Sequence, residues 1–359
     1  MSNNGPVFSR RGFLTRAGGT VLMGALGATA LAACATGEAT PAASTSGAPD
    51  KPVPLVPFTF LSFLPVSSFT VSPEMMAVAG GYFKKNGLDA TLQAVKGSAQ
   101  ATQLLVANKG QVARNGAIDA MTAGFTQNLP VKIVGVNTYG SAIRILTTKE
   151  TPNPSDWVGK TIGVPSVNGT SDKTLSAVLH DANIDPTSVK RQLVGLTPGT
   201  FELVRNGSLA GYMVSLDTAL IVLKQNADAV SFAPTNVTKV GDNIYMTSQD
   251  QIDQHGDEIK KYFLSIKQAT SDMIADEANG FDKTIKTLRS AYDFASLADE
   301  DIAKGALKAY SHLWPDADGH LLTIDMDRLE ESYRQMVDLK VVPAGKDIES
   351  IVDTSLLPK

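Results

Sequence analysis

The chain has 359 residues, 43% of them hydrophobic, which is enough for about two domains of ordinary size. Its formal net charge is −4, and the first 33 residues hold three arginines and no acidic residue, so the remainder is more acidic still. This charge argues against a nucleic-acid surface, which needs a net basic face. Cys34 is the single cysteine, so the chain forms no internal disulfide.

The N-terminus is typical of an export signal, because basic residues precede an uncharged apolar run that ends at Ala33. The pair Arg10-Arg11, ahead of Gly-Phe-Leu, resembles a twin-arginine signal, with the general secretory route as the alternative. Leu31-Ala32-Ala33-Cys34 resembles a lipobox, in which the cysteine is lipidated and begins the mature chain. We therefore expect residues 1–33 to be a twin-arginine lipoprotein signal peptide. Residues 34–56, rich in Ala, Thr, Ser and Pro, predict a lipidated flexible tether at the outer face of the cytoplasmic membrane.

Strand and helix patterns alternate twice after the tether, over 57–147 and 158–247. The first repeat opens with the alternating pattern Phe58–Leu64 and a helix from Pro73 to the cap at Gly87. The second repeat opens with a strand, Thr161–Val164, and mostly helical patterns follow from Gln251. This order predicts an α/β protein with largely parallel sheets, arranged as two similar lobes around a cleft.

Four stretches resemble one family in order and spacing: Ala79–Asp89 (AGGYFKKNGLD), Gly97–Gln100 (GSAQ), Asn128–Val134 (NLPVKIV) and Trp157–Pro165 (WVGKTIGVP). The chain is identified as a member of the substrate-binding proteins of ABC importers for nitrate, sulfonates, taurine and thiamine-precursor pyrimidines. The resemblance implies a type II periplasmic-binding-protein fold, in which a two-strand hinge joins two α/β lobes around a ligand cleft. It also implies the lobe limits: lobe 1 at 57–147 and 248–359, lobe 2 at 148–247, and hinge strands near 142–147 and 243–248.

Candidate binding residues of lobe 1 follow the ends of strands, since ligands of α/β sheets sit beyond the carboxyl ends of strands and at helix starts. Ser68-Phe69 follows the first strand and either hydrogen-bonds and stacks on a flat ligand or packs its own loop. Ser98 and Gln100 begin a helix, where they bind an anion or only cap the helix. Arg114-Asn115 follows a short strand, and its guanidinium suits a carboxylate, sulfonate or phosphate unless it lies on the surface.

Lobe 2 supplies the remaining candidates by the same rule. Asn168-Gly169-Thr170 opens a helix and offers side-chain and backbone donors, or only a helix cap. Ser215 and Asp217 follow a strand, and Asp217 either accepts from an amine or ring N–H or caps the next helix. Tyr139, after the strand at 131–136, is the last candidate.

These patterns favour a binding protein over an enzyme. The chain shows no His pair at metal-ligand spacing, no serine-hydrolase motif, no phosphate-binding loop and no thiol nucleophile beyond Cys34, so we expect no metal, cofactor or catalytic residue. The prediction is a monomeric receptor that delivers a sulfonate-like organic anion or a vitamin-precursor heterocycle to an ABC permease. A sensor for a membrane kinase and an exported enzyme on the same fold stay open. Arg114→Ala is expected to abolish anion binding at a nearly unchanged melting temperature.

Overall fold

A computed structural model of the protein describes residues 54–236 and 242–359. The predicted signal at 1–33, the lipidation site Cys34 and the tether up to residue 53 lie outside the described residues. The strands are β1 (Val56–Ser62), β2 (Leu88–Ala94), β3 (Val112–Gly116), β4 (Val131–Thr138), β5 (Ile143–Thr148), β6 (Thr161–Val164), β7 (Lys190–Leu193), β8 (Gly211–Ser215), β9 (Ala229–Phe232) and β10 (Asn243–Ser248). The helices are α1 (Ser72–Ala79), α2 (Tyr82–Lys85), α3 (Gly97–Val106), α4 (Ala117–Met121), α5 (Thr170–Asp181), α6 (Phe201–Arg205), α7 (Leu216–Gln225), α8 (Gln249–Ala275), α9 (Asp282–Arg289), α10 (Ala295–Ala298), α11 (Glu300–Ser311) and α12 (Met326–Asp338).

The described strands form two five-stranded sheets of the same design. The first sheet has the order β2-β1-β3-β10-β4, and the second has the order β7-β6-β8-β5-β9. In each sheet three neighbouring strands are parallel, and one strand runs antiparallel to both of its neighbours: β10 in the first sheet and β5 in the second. Helices flank both sheets, so the predicted two-lobed α/β fold is confirmed.

The antiparallel strands lie in the opposite lobes from those that the sequence predicted. The limits 147/148 and 247/248 assign β5 to lobe 1 and β10 to lobe 2, but β5 pairs with β8 and β9, and β10 pairs with β3 and β4. The chain therefore passes between lobes before these strands and not after them. An apolar strand pattern shows that a strand forms but does not show which sheet it joins, so both limits were placed one strand too late.

The first sheet is packed against helices on both of its faces. Phe58 and Phe60 of β1 face a cluster with α1, α8, α9 and α11, whereas Leu61 faces a second cluster with α3, α4 and α12. Successive strand residues point to opposite faces, so one strand supplies both cores. Each face of the second sheet likewise has its own cluster, with Trp157 and α5 on one side and Phe201 and α7 on the other.

The helix predicted from Pro73 to Gly87 is two helices in the structure. α1 ends at Ala79 and α2 begins at Tyr82, with Gly81 between them at φ 74°. This left-handed conformation is open to glycine at little cost and breaks the helical ladder. The apolar period continues across the break, so periodicity alone did not reveal it.

The long helix α8 crosses the first lobe and carries Tyr262 and Phe263 into its core. It has 27 residues, and its backbone leaves helical geometry at His255. Neither α8 nor any other helix within residues 54–236 and 242–359 has the length and apolar character needed to cross a membrane.

Candidate functional site

A cavity of about 930 Å³ lies between the two lobes. Its walls are the segments that follow the carboxyl ends of β1 and β2 in the first lobe and of β6, β7 and β8 in the second. Residues 294–296, at the start of α10, close one side of the cavity. The volume is within the range of about 300–1,000 Å³ that is usual for small-molecule sites. The cavity therefore has the position predicted from the strand ends, and it takes residues from both lobes.

Asp217 is the acidic residue in the wall of this cavity. It lies in the first turn of α7 and is 2% exposed. The Ser68 hydroxyl donates to its Oδ1 at 2.8 Å, and the Ser296 hydroxyl donates to its Oδ2 at 2.9 Å. Both serines belong to the first lobe, so one buried carboxyl group of the second lobe accepts hydrogen bonds from two separate segments of the other.

Ser68 also organises its own loop. Its hydroxyl accepts from the Thr70 backbone N–H at 3.3 Å and caps the short helical turn that follows. The Thr70 hydroxyl is in turn 2.5 Å from the Tyr310 hydroxyl. Ser68 therefore makes the loop-packing contact that was predicted as one alternative, and its hydrogen bond to a ligand stays a prediction.

A second set of contacts joins the lobes at the start of α5. The Thr170 hydroxyl donates to the Asp119 carboxylate, and the Lys173 ammonium donates to the same carboxylate at 2.7 Å. The Thr170 backbone N–H donates to the Ser98 hydroxyl at 3.3 Å. Gly116 faces Thr170 so closely that a Cβ there would lie 2.5 Å from the Thr170 methyl group. The absence of a side chain at Gly116 therefore allows the end of β3 and the start of α5 to lie close together.

Arg114 does not line the cavity. Its guanidinium donates to both oxygens of Glu74 at 2.9 Å, and both side chains are 0% exposed. The Tyr245 hydroxyl donates to Glu74 Oε1 at 2.8 Å and the Tyr262 hydroxyl donates at 3.3 Å. Burial alone would lower the pKa of Arg114, but the Glu74 carboxylate and the two tyrosines raise it above its usual value. The residue chosen from the sequence as an anion ligand is therefore one half of a core ion pair.

Of the predicted site residues, the structure brings four to the cavity wall: Ser68, Thr170, Ser215 and Asp217. Others lie directly behind it. The Phe69 ring packs edge-on against Phe294, a wall residue, at 5.6 Å, and Ser98 and Gly169 lie at the edge where the lobes meet.

The remaining predicted residues make contacts elsewhere. Asn115 is fully buried and donates to the Thr102 hydroxyl at 2.9 Å. Gln100 is exposed and accepts from the Lys96 backbone N–H at 2.6 Å. The Tyr139 hydroxyl donates to the Thr323 carbonyl, and Asn168 is exposed with φ 61°.

Sequence reasoning missed three parts of the wall. Lys96 follows β2, and the segment 193–198 follows β7, so the strand-end rule applies to both and could have found them. The segment 294–296 comes from the helical C-terminal part, far along the chain from any strand of the cleft. No local sequence signal connects Ser296 with Asp217, because only tertiary packing brings them together.

Two mixed α/β lobes with a cavity at their strand ends define a periplasmic-binding-protein fold. A sequence profile described as NMT1/THI5-like matches residues 68–279. The chain therefore belongs to the NMT1/THI5-like family, and the predicted membership of the nitrate-, sulfonate- and thiamine-precursor-binding family is confirmed. No curated protein sequence matches the chain.

Solved structures share the fold at low sequence identity. The alkanesulfonate-binding protein SsuA from Xanthomonas axonopodis pv. citri, bound to MOPS, is 13% identical, with a TM-score of 0.65 over 84% of this chain and 99% of that chain. The nitrate-binding protein NrtA from Synechocystis PCC 6803 is 14% identical, with a TM-score of 0.63 over 84% and 87%. The desulfurization enzyme DSZB is 11% identical, with a TM-score of 0.53 over 84% and 97%.

Proposed function

We propose that the protein is the extracytoplasmic solute-binding protein of an ABC importer. The observation that carries the proposal is the cavity of about 930 Å³ whose wall is shared between the two lobes. A ligand there contacts both lobes at once, so it binds best when they are together. Family membership and the similarity of the fold to SsuA and NrtA support the same function.

The binding cycle uses the contacts between the lobes. Asp217 with its two serines, and Asp119 with Thr170 and Lys173, connect the lobes at separate points. These contacts stabilise a closed form, and the segment between β4 and β5, where the chain passes from one lobe to the other, acts as a hinge about which the lobes open. The closed, occupied form then docks on a membrane permease. The protein works as a monomer, and it makes and breaks no bonds.

The proposed ligand is a small organic molecule, either a sulfonate-like anion or a vitamin-precursor heterocycle. The cavity wall combines apolar side chains with several hydroxyl groups, which suits an organic body that carries a few polar atoms. The hydroxyl groups of Ser68, Thr170 and Ser215 can donate to either ligand, whereas Asp217 can only accept, from an N–H of a heterocycle.

We also propose that the chain is exported and anchored by a lipid on Cys34, as the N-terminal sequence predicts. Full-length protein expressed in a bacterial host should then fractionate with the membrane, and Cys34→Ala should release it into the soluble fraction. A matched Thr36→Ala variant should stay with the membrane. Equal fractionation of Cys34→Ala and the unmodified protein would refute the anchor.

An exported enzyme is the second candidate, favoured by the similarity to DSZB. One experiment separates it from the importer. Each compound of a panel of sulfonates, carboxylates, pyrimidines, flavins and amino acids is incubated with the full-length protein, and its thermal shift and its mass afterwards are measured. A compound that binds unchanged, and whose uptake is lost in cells lacking the protein, establishes the importer. A changed mass would establish an enzyme, and binding without any effect on uptake would favour a sensor.

A further inference from the structure

The carboxyl group of Asp217 is buried without a cationic partner in the described part of the chain. Its hydrogen-bond donors there are the hydroxyls of Ser68 and Ser296, and none of the ion pairs among the described residues includes it. A buried charge needs a countercharge or several strong donors, since two hydroxyl groups compensate only part of the lost hydration.

The other charges near the cavity do not neutralise Asp217. Lys96 is the cationic residue of the wall, and it is exposed. Arg114 is held by Glu74, and Lys173 is held by Asp119 at 2.7 Å. Arg144 donates to the backbone carbonyls of Ser141 and Ile143. The cavity therefore presents one buried acidic group, and its lysine lies at the solvent side.

The rest of the wall favours an organic body of substantial size. It includes Phe63, Leu64, Leu196, Ile221 and Phe294. A nitrate-sized anion, comparable with about two water molecules of about 30 Å³ each, would leave most of the 930 Å³ filled with solvent. Burial of an apolar body against these side chains supplies affinity that a bare inorganic anion does not obtain.

From these observations we propose that the ligand has an apolar or aromatic body and a nitrogen donor, either an ammonium or a protonated heterocyclic amine, that pairs with Asp217. A carboxylate has about four lone-pair sites, so the two serines leave room for the ligand. The two serines of lobe 1 and the nitrogen of the ligand then converge on one carboxylate of lobe 2, which couples recognition to the contact between lobes. This inference rests on the proposed binding function, and it replaces the sulfonate-like alternative for the ligand with a nitrogen donor.

The test uses compounds with the same body and opposite charge. The probes are 2-phenylethylamine against 2-phenylethanesulfonate, and 1-naphthylmethylamine against 1-naphthylmethanesulfonate, titrated calorimetrically into the full-length protein. We expect each amine to bind at least tenfold more tightly than its sulfonate. Asp217→Asn should lower amine affinity at least tenfold. The matched variant Asp228→Asn removes an exposed acidic group of the same lobe that is not part of the cavity wall, and its amine affinity should stay within about threefold.

Each of three other results would refute one part of the proposal. Tighter binding of the sulfonates would overturn the nitrogen-donor class and leave the receptor function standing. Amine affinity that is equal in the unmodified protein and Asp217→Asn would remove Asp217 from recognition. Failure of all four probes to bind a cooperatively folded protein at 10 mM would overturn this ligand class, whereas the separate uptake experiment would still decide the receptor function.

Discussion

Replacing Arg114 by methionine should destabilise the whole first lobe. Methionine keeps most of the volume but leaves the Glu74 carboxylate buried at 0% exposure without its cation. Breaking one partner of a buried ion pair costs about 3–5 kcal/mol. For a folded unit of about 300 residues, an unfolding entropy of about 2.1 cal/mol/K per residue gives a melting temperature about 5–8 °C lower.

The assay is a thermal unfolding curve followed by circular dichroism, with two matched variants. Arg205→Met removes an exposed arginine that pairs with Glu202 at 3.1 Å, and it should hardly move the curve. Arg114→Met combined with Glu74→Gln removes both charges while keeping an acceptor for the Tyr245 hydroxyl. The double variant should therefore melt above Arg114→Met alone, with a measurable coupling between the two sites.

The opposite pattern would refute this reasoning. The sequence alone predicted that Arg114→Ala abolishes anion binding at an unchanged melting temperature. If Arg114→Met melts like the unmodified protein and loses only ligand binding, then Arg114 acts on the ligand and its pairing with Glu74 does not stabilise the fold.

Two further predictions concern the contact between lobes and the buried tyrosines. Gly116→Ala places a methyl group 2.5 Å from the Thr170 methyl, so it should weaken ligand binding, measured by calorimetry, about tenfold. Gly256→Ala, where the added methyl group has no neighbour closer than 3.8 Å, should leave the affinity unchanged. Equal affinities of the two variants would show that ligand binding does not need the contact between Gly116 and Thr170. Burial raises the pKa of Tyr245 and Tyr262 well above 10.0, so the stability that their neutral forms contribute is complete below pH 10 and is lost as the pH rises further. Absorbance of phenolate at 295 nm should therefore rise in step with unfolding above pH 10, and full tyrosine ionisation in still-folded protein would contradict this.

The fold was predictable because its signals are local and repeated. The alternation in β1 and the helix end at Gly87 can be read from a few neighbouring residues, and the resemblance to the family implied the architecture. The sheet that each of β5 and β10 joins was not predictable, since strand pairing depends on contacts between residues distant in sequence. The break at Gly81 was hidden because the apolar period continues through it.

The residues of the candidate site were predictable where they follow the ends of strands, and they were not predictable where tertiary contacts determine whether a side chain reaches the cavity. Asp217 lies at the start of the helix after β8, Thr170 begins the helix after β6, and both reach the cavity wall. Arg114 was expected after a strand, but it lies inside β3, and Glu74 of α1 holds its guanidinium in the core. Sequence shows that an arginine is present near a strand end, and it does not show whether an acidic partner faces it.

The most direct test of the account is ligand binding with the mouth of the cavity blocked. Ser67 is an exposed wall residue, so Ser67→Trp fills the opening without disturbing the core, and Ser67→Ala is its control. Equilibrium binding of the compound that most stabilises the unmodified protein should persist in Ser67→Ala and fall at least tenfold in Ser67→Trp. Undiminished binding to a folded Ser67→Trp would place the ligand outside this cavity and contradict the account.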